Sequence, residues 1–251
     1  MGKRIIISFP SHPLFMSLYF LLLFPIFIGA PRIFTYFSLL LGVSLWQAII
    51  LGMFIFLASL LFSPFNIIVK EIATGEATVV FEQRYIYFFG FPVPIISPKI
   101  VEKKVVIAVN IGGALIPILI SFLLLFKISL LDPYYLYASF VGIAVTSIIA
   151  YMFSRALPGV GIVMPGFIPP LITVIVTVML VDKLYFAIPI AYISGSLGSL
   201  IGADILRLLK ELDKFIRSYG SSVLSIGGAG TFDGIYLSGI VASMLVPLFY
   251  T

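Results

Sequence analysis

Long hydrophobic runs, separated by short polar or proline- and glycine-containing breaks, fill most of the chain. A transmembrane α-helix needs about 20 mainly apolar residues, and seven runs approach or exceed that length. They cover residues 13–30, 35–63, 106–126, 134–153, 167–181, 184–206 and 222–250. The pattern predicts an all-α polytopic membrane protein with about seven transmembrane helices. The first run follows two basic residues and is interpreted as a retained signal-anchor helix.

Residues 65–105 have a different pattern, rich in β-branched, aromatic and charged residues, with nine of the 25 charges of the chain. Such segments favour strands, so we expect a small cytoplasmic β-rich insertion, as a hairpin or a three-stranded sheet. The apolar run 85–96 is too short to span a bilayer and is predicted to enter the interface or pack over the helices. The insertion is either a structured connector or a lid or substrate-docking edge. It separates two transmembrane parts, 1–64 and 106–251.

Basic residues are distributed unequally between the two sides that a seven-span topology defines. One side holds twelve and the other holds Arg32, Lys127 and Lys183. The twelve are Lys3, Arg4, Lys70, Arg84, Lys99, Lys103, Lys104, Arg155, Arg207, Lys210, Lys214 and Arg217. By the positive-inside rule, the N-terminus is predicted to be cytoplasmic and the C-terminus extracytoplasmic.

Composition excludes several classes of protein. The 61% hydrophobic content and mean hydropathy of +1.23 indicate an integral membrane protein of the cell membrane. With no cysteine and one histidine, His12, the chain lacks the parts of a thiol nucleophile, a Ser-His triad or a two-His metal site. We therefore predict no metal and no cofactor.

The net charge of +5 suits anionic membrane lipids as partners and not nucleic acid, because the basic residues are spread over short loops. Only two Asn and two Gln hint at a thermophile.

Two aspartates, Asp204 and Asp233, are candidate catalytic residues. They lie in the apolar, glycine-rich segments 193–208 and 225–239. A carboxylate near hydrocarbon costs several kcal/mol unless it is paired, solvated or protonated, so such a residue indicates a functional site. The seven-span topology brings both aspartates within reach of the cytoplasmic end of the helices.

Other polar or glycine-rich features are predicted to meet at the same membrane face. Asn110 enters the third run from that side, and Arg155 begins the proline- and glycine-rich loop 155–170. Gly228 and Gly230 belong to an irregular stretch before Asp233. Broken helices and convergent polar groups are typical of substrate sites in membrane proteins. Asn110, Arg155, Gly228 and Gly230 are therefore candidate substrate-binding residues.

Each of these polar residues also has a structural alternative. Asp204 could form an ion pair with Arg207, three residues further along the helix. Asp233 could be a helix N-cap. Asn110 could hydrogen-bond between helices, and Arg155 could extend its charge to the membrane surface.

Two aspartates facing one cavity repel each other, so one carboxyl stays protonated while the other acts as a base. Aspartic proteases use such a dyad, and it needs neither His nor Cys. We therefore predict an intramembrane aspartic-type hydrolase, a peptidase that cuts a transmembrane-helix substrate near its cytoplasmic end. The alternative is a proton- or cation-coupled transporter that uses the same aspartates at broken helices. A lipid-handling or scaffold protein is a third interpretation, and the oligomeric state stays open.

Four segments resemble an uncharacterised family of archaeal and bacterial polytopic membrane proteins, a domain of unknown function. They are VNIGGALIPI, PGVGIVMPGFIPPL, SGSLGSLIGADIL and SIGGAGTFDGIYLSGI. This resemblance implies a seven-helix-like membrane protein and no established activity. Gly202, Ala203 and Asp204 are also similar to the end of the GxGD motif of intramembrane aspartyl proteases such as presenilin and signal peptide peptidase, with Ala203 in place of the second glycine. That similarity implies two-aspartate chemistry.

Overall fold

A computed structural model describes residues 5–7, 13–88, 91–157, 161–217, 222–228 and 234–250, and these residues are mostly helical. The α-helices are α1 (Pro13–Leu40), α2 (Leu45–Phe62), α3 (Ile116–Leu131), α4 (Pro133–Phe153), α5 (Ile168–Leu180), α6 (Leu184–Ser199), α7 (Arg207–Arg217) and α8 (Gly234–Leu245). A first π-helical segment, Ile111–Leu115, leads into α3, and a second, Leu200–Leu206, joins α6 to α7. A 3-10 turn, Val246–Phe249, follows α8.

Four of the described helical stretches are long and apolar enough to cross a membrane, by length and composition. They are Leu45–Phe62, Ile111–Leu131, Pro133–Phe153 and Leu184–Ile216. Three shorter apolar stretches, Phe24–Leu40, Ile168–Leu180 and Ile235–Phe249, accompany them. The structure is therefore consistent with seven hydrophobic helical segments, as the sequence pattern predicts.

The break between the first two helices lies at residues 41–44, and the predicted break at 31–34 is wrong. α1 continues through Pro31 to Leu40, and the Thr35 hydroxyl donates to the Pro31 carbonyl at 2.8 Å. Gly42 has a φ of +95°, which glycine adopts without steric cost. Ser44 then starts α2 with a capping box. The chain turns where the positive φ and the cap coincide, and a proline alone does not end α1.

The predicted β-rich insertion is present as a long hairpin in a larger sheet. The strands are β1 (Ile5–Ile7), β2 (Phe65–Phe88), β3 (Phe91–Asn110), β4 (Arg155–Leu157), β5 (Gly161–Val163) and β6 (Ser222–Ile226). β2 and β3 pair antiparallel from Asn66↔Asn110 to Phe88↔Phe91. At about 3.3 Å per residue, this hairpin is on the order of 70 Å long. The run 85–96, expected at the membrane interface or over the helices, forms its far end.

The four-stranded sheet has the order β1-β2-β3-β6, and β4 and β5 form a separate two-stranded sheet. Residues 222–226, predicted as the beginning of the seventh helix, are strand β6 instead. β6 pairs parallel with β3, from Val105↔Ser222 to Val109↔Ile226. Because side chains alternate between the two faces of a strand, Leu224 points to one face of β6. There it lies in a buried cluster with Val105 and Phe215.

Two groups of buried side chains connect these elements. The larger joins α1 to α6 and α8 around Phe34, Tyr192 and Tyr236. The smaller places the apolar side of α7, with Leu208 and Phe215, against β3 and β6. α7 therefore covers the part of the sheet where β3 pairs with β6, which we call the sheet base. The sheet base, β4–β5 and α7 lie at one end of the helices.

Candidate functional site

Asp204 lies in the second π-helical segment and is 9% exposed. π-Helical turns are rare and often mark functional sites. Gly202 lets this segment approach α4, because a Cβ at Gly202 would lie 2.1 Å from the Ser147 carbonyl oxygen. The small residues of LIGADIL thus hold the carboxylate inside the protein at the end of α6.

The carboxylate of Asp204 binds the turn that follows β6. The backbone N–H of Gly227 donates to Asp204 Oδ2 at 2.6 Å. Gly227 and Gly228 have φ values of +86° and +92°, which side chains with a Cβ rarely adopt. We call Gly227–Gly228 the glycine turn. Its conformation directs a backbone donor at a buried carboxyl group.

The glycine turn also packs on the first π-helical segment. A Cβ at Gly113 would lie 2.2 Å from the Gly227 carbonyl oxygen, and one at Gly227 would lie 2.4 Å from the Ala114 Cβ. The turn therefore touches both π-helical segments, and glycine is required on both sides of the contact. Two irregular helices and one irregular turn meet around Asp204.

Asn110 caps the first π-helical segment and belongs to a buried network. Its Oδ1 accepts from Gly113 N at 2.7 Å, and its Nδ2 donates to the Ser63 carbonyl at 2.6 Å and to Asn66 Oδ1 at 3.0 Å. Asn66 Oδ1 also accepts from the Ser225 hydroxyl at 2.5 Å. This geometry favours the structural alternative for Asn110, which joins α2, the hairpin and β6 beside the glycine turn.

Replacing Asn110 with Ala is expected to destabilise the protein by about 3 kcal/mol, since several buried groups lose a partner at roughly 1–3 kcal/mol each. The measurement is reversible unfolding of the purified protein in detergent. Gln47→Ala is the matched control, because Gln47 is an exposed amide at the start of α2 and should cost about 1 kcal/mol or less. Equal losses for the two variants would contradict the network's structural role.

Arg155 and Arg207 lie near the same end but differ in environment. Arg155 is exposed on β4. Arg207 donates to the Tyr151 carbonyl at 2.5 Å, lies 4.5 Å from the centre of the Tyr151 ring, and contacts Glu211 at 3.6 Å. The guanidinium of Arg207 thus fastens α7 to α4. The structure gives Arg155 a surface position.

The structure describes one of the three remaining candidate site residues. Gly228 is in the glycine turn, whereas Gly230 and Asp233 lie outside the described residues. α8 begins at Gly234, and Ile235 packs in one buried cluster with Ala114 and Leu200. The start of α8 is therefore anchored beside both π-helical segments.

Sequence reasoning did not single out Gly227, Asn66 and Ser225, although Ser225 and Gly227 lie in the segment 225–239 and Asn66 lies in the insertion 65–105. It also missed hydroxyl groups buried between α3, α4, α5 and α6. Within the described part of the chain, the hydroxyls without a hydrogen-bond partner include Ser121, Ser147, Thr177 and Ser194. The sequence feature that indicates these buried hydroxyl groups is the frequent Ser and Thr within helices of high hydropathy.

A second polar region lies at the opposite end of the helices. The Tyr135 hydroxyl donates to Asp182 Oδ1 at 2.5 Å, and this bond holds the pKa of the exposed Asp182 carboxyl below its usual value. Asp132 caps α4 through Tyr134 N. These residues border a shallow cleft of about 380 Å³. Hydrogen bonds within the fold account for one oxygen of each aspartate here.

Comparison with known proteins gives one match. Residues 60–245 match a family described as a protein of unknown function (DUF1614). Comparison with curated proteins and with solved structures gives no match. The matched region includes the hairpin, both π-helical segments and the glycine turn.

Proposed function

Because the chain belongs to the DUF1614 family, whose function is unknown, we propose a function from the site: an intramembrane aspartic-type peptidase with Asp204 and Asp233 as its dyad. One observation carries the proposal, the contact between buried Asp204 and the glycine turn. This turn precedes Asp233 by a few residues, and Ile235 is packed beside the π-helical segments. The chain is thereby held near Asp204 on both sides of Asp233.

In the proposed reaction, the Asp204 carboxylate takes a proton from water, and the water oxygen attacks the carbonyl carbon of the scissile peptide bond. The protonated Asp233 donates its proton to the carbonyl oxygen. Collapse of the tetrahedral intermediate then breaks the C–N bond as the amine nitrogen takes the proton from Asp204, and one hydroxyl of the intermediate returns a proton to Asp233 as the new carboxyl group forms. The Gly227 N–H supports the role of Asp204, because its hydrogen bond to Oδ2 holds the carboxyl group in one orientation.

The test uses purified protein in liposomes with a panel of single-span peptide helices. We expect cleavage near the cytoplasmic end of at least one helix, detected by mass spectrometry. In H₂¹⁸O, one heavy oxygen should enter the new carboxyl group, since hydrolysis takes that oxygen from water. Products without the label, or cleavage that persists in the Asp204→Asn variant, would reject the proposal.

A proton- or cation-coupled transporter is the second candidate. It is favoured by the buried Ser121, Ser147, Thr177 and Ser194 hydroxyls, which have no partner within the described residues and could line a polar path between helices. Proton flux into liposomes under a pH gradient, abolished by Asp204→Asn and unaccompanied by cleavage of any helix, would favour transport over hydrolysis.

We also propose an integral membrane location with the N-terminus cytoplasmic and the C-terminus extracytoplasmic. The twelve-to-three distribution of basic residues supports it. So does the fold, which gathers the sheet base, β4–β5 and α7 at one end. Membrane lipids and a transmembrane-helix substrate are the partners of this proposal.

Single cysteines in this cysteine-free chain test the orientation. Asp213→Cys on α7 and Lys183→Cys before α6 replace exposed residues at opposite ends. In intact cells, we expect a membrane-impermeant thiol reagent to label Lys183→Cys and to label Asp213→Cys only after permeabilisation. The reverse result would invert the topology and move the Asp204 site to the outer face.

A further inference from the structure

Within the described part of the chain, the outer edge of β2 has no paired strand over most of its length. Among the described residues, β1 pairs with this edge only at 65–67, while β3 occupies the other edge. An open strand edge presents unpaired N–H and C=O groups that can accept another strand. A two-stranded ribbon is marginally stable alone, so residues 77–88 with their β3 partners need further strands or a covering surface.

The outer edge of β3 does not offer the same opportunity. Pro92, Pro94 and Pro98 are an even number of residues apart, so their nitrogens face one edge of the strand. The inner edge of β3 pairs with β2 along this stretch, and proline in a sheet occurs where its nitrogen faces away from the ladder. The prolines therefore block the outer edge of β3. β2 contains no proline between residues 65 and 88, so an added strand fits on the β2 side.

Four apolar side chains are exposed on one face of the ribbon. Val79 and Phe81 on β2 are 53% and 70% exposed, and Ile96 and Ile100 on β3 are 74% and 76% exposed. The register Val79↔Ile100 and Phe81↔Pro98 places them on the same face. A wider sheet would extend this face beyond the two strands that form it.

We propose that the added strand is β2 of a second copy of this chain, paired antiparallel about Gln83. Such pairing is isologous, as a two-fold dimer requires. With Gln83 at the centre, Glu82 is opposite Arg84 of the partner subunit, and Arg84 is opposite Glu82 of the partner subunit. Opposite charges across an antiparallel pair are favourable. The result is a four-stranded sheet in which the two β2 strands are central.

Charge selects this register over its neighbours. Pairing centred on residue 82 would place two glutamates opposite each other, and pairing centred on residue 84 would do the same with two arginines. Like charges directly opposite are destabilising. The sequence EQR, centred on Gln83, is thus self-complementary in the antiparallel direction, and this complementarity specifies a second copy over an unrelated strand.

Cysteine cross-linking in liposomes tests the register with the full chain. Cα atoms of a hydrogen-bonded antiparallel pair are about 5.5 Å apart, which suits a disulfide. We expect Gln83→Cys to form covalent dimers under mild oxidation. Val79→Cys is the matched control. The two introduced cysteines of a dimer would lie eight residues apart along the strands, about 27 Å, so this variant should form no covalent dimer. Equal cross-linking of both variants, or none with Gln83→Cys, would overturn the proposal.

A charge exchange provides an independent measurement. Glu82→Arg and Arg84→Glu each create like-charge pairs, and each should weaken self-association in detergent by about tenfold or more, measured by light scattering. The combined exchange restores opposite charges and should restore dimerisation. Unchanged thermal unfolding of the helices would show that the single variants are folded. A monomeric native protein, a monomer that binds lipid vesicles through the ribbon, or a combined exchange no better than the single variants would overturn the dimer.

Discussion

Replacing either Asp204 or Asp233 with Asn is expected to reduce peptide cleavage by about 10²- to 10⁴-fold, the usual contribution of acid–base catalysis. Asn keeps the size of the side chain but cannot exchange the catalytic proton. At position 204, its carbonyl oxygen can still accept from Gly227 N. The folded structure and membrane insertion should therefore survive. The measurement is the cleavage rate of a susceptible helix in liposomes, with unfolding temperature recorded for each variant.

The double Asn variant should be about as inactive as either single variant, because residues that act as one catalytic unit are not additive. Asp213→Asn is the matched control. Asp213 is exposed on α7, and its replacement should leave the rate unchanged. Near wild-type turnover in either the Asp204 or the Asp233 variant would reject the dyad and leave the transporter as the better proposal.

The second large effect is expected at Gly202. Gly202→Ala should destabilise the protein by roughly 3 kcal/mol or more, because overpacking usually costs about 1–3 kcal/mol and the obstacle here is backbone. The new Cβ would lie 2.1 Å from the Ser147 carbonyl oxygen and 2.9 Å from the Ser147 Cα. α4 and the second π-helical segment must move apart, which displaces Asp204. Unfolding in detergent measures the loss of stability.

Gly166→Ala is the control for the effect of adding a methyl group. Gly166 lies in an exposed turn, and a Cβ there would have no atom within 4 Å. Its replacement should change stability by about 0.5 kcal/mol or less. A Gly202→Ala protein as stable as Gly166→Ala would show that α4 and the π-helical segment tolerate separation, and would contradict the close packing around Asp204.

Local patterns predicted the helical segments because each one carries its own signal. A run such as 134–153 is mainly apolar and has no charged residue, and α4 occupies Pro133–Phe153. The strand pattern of 65–105 likewise predicted a hairpin there. Boundaries were less accurate where two local signals competed, as at Pro31 and at the Gly42–Ser44 turn. Residues 222–226 were misassigned because their strand conformation depends on pairing with β3, which lies over 100 residues earlier in the sequence.

The sequence by itself determined the apolar helical character of the chain, the exclusion of Cys and two-His chemistry, and Asp204 as the carboxylate in an apolar setting. These properties depend on composition and short-range periodicity. Only the tertiary structure decided that Gly227 donates to Asp204, that Asn110 serves the Asn66–Ser225 network, and that two π-helical segments meet at the glycine turn. Each is a contact between distant residues, and its geometry follows from packing that forces backbones together at glycines, which no local pattern specifies.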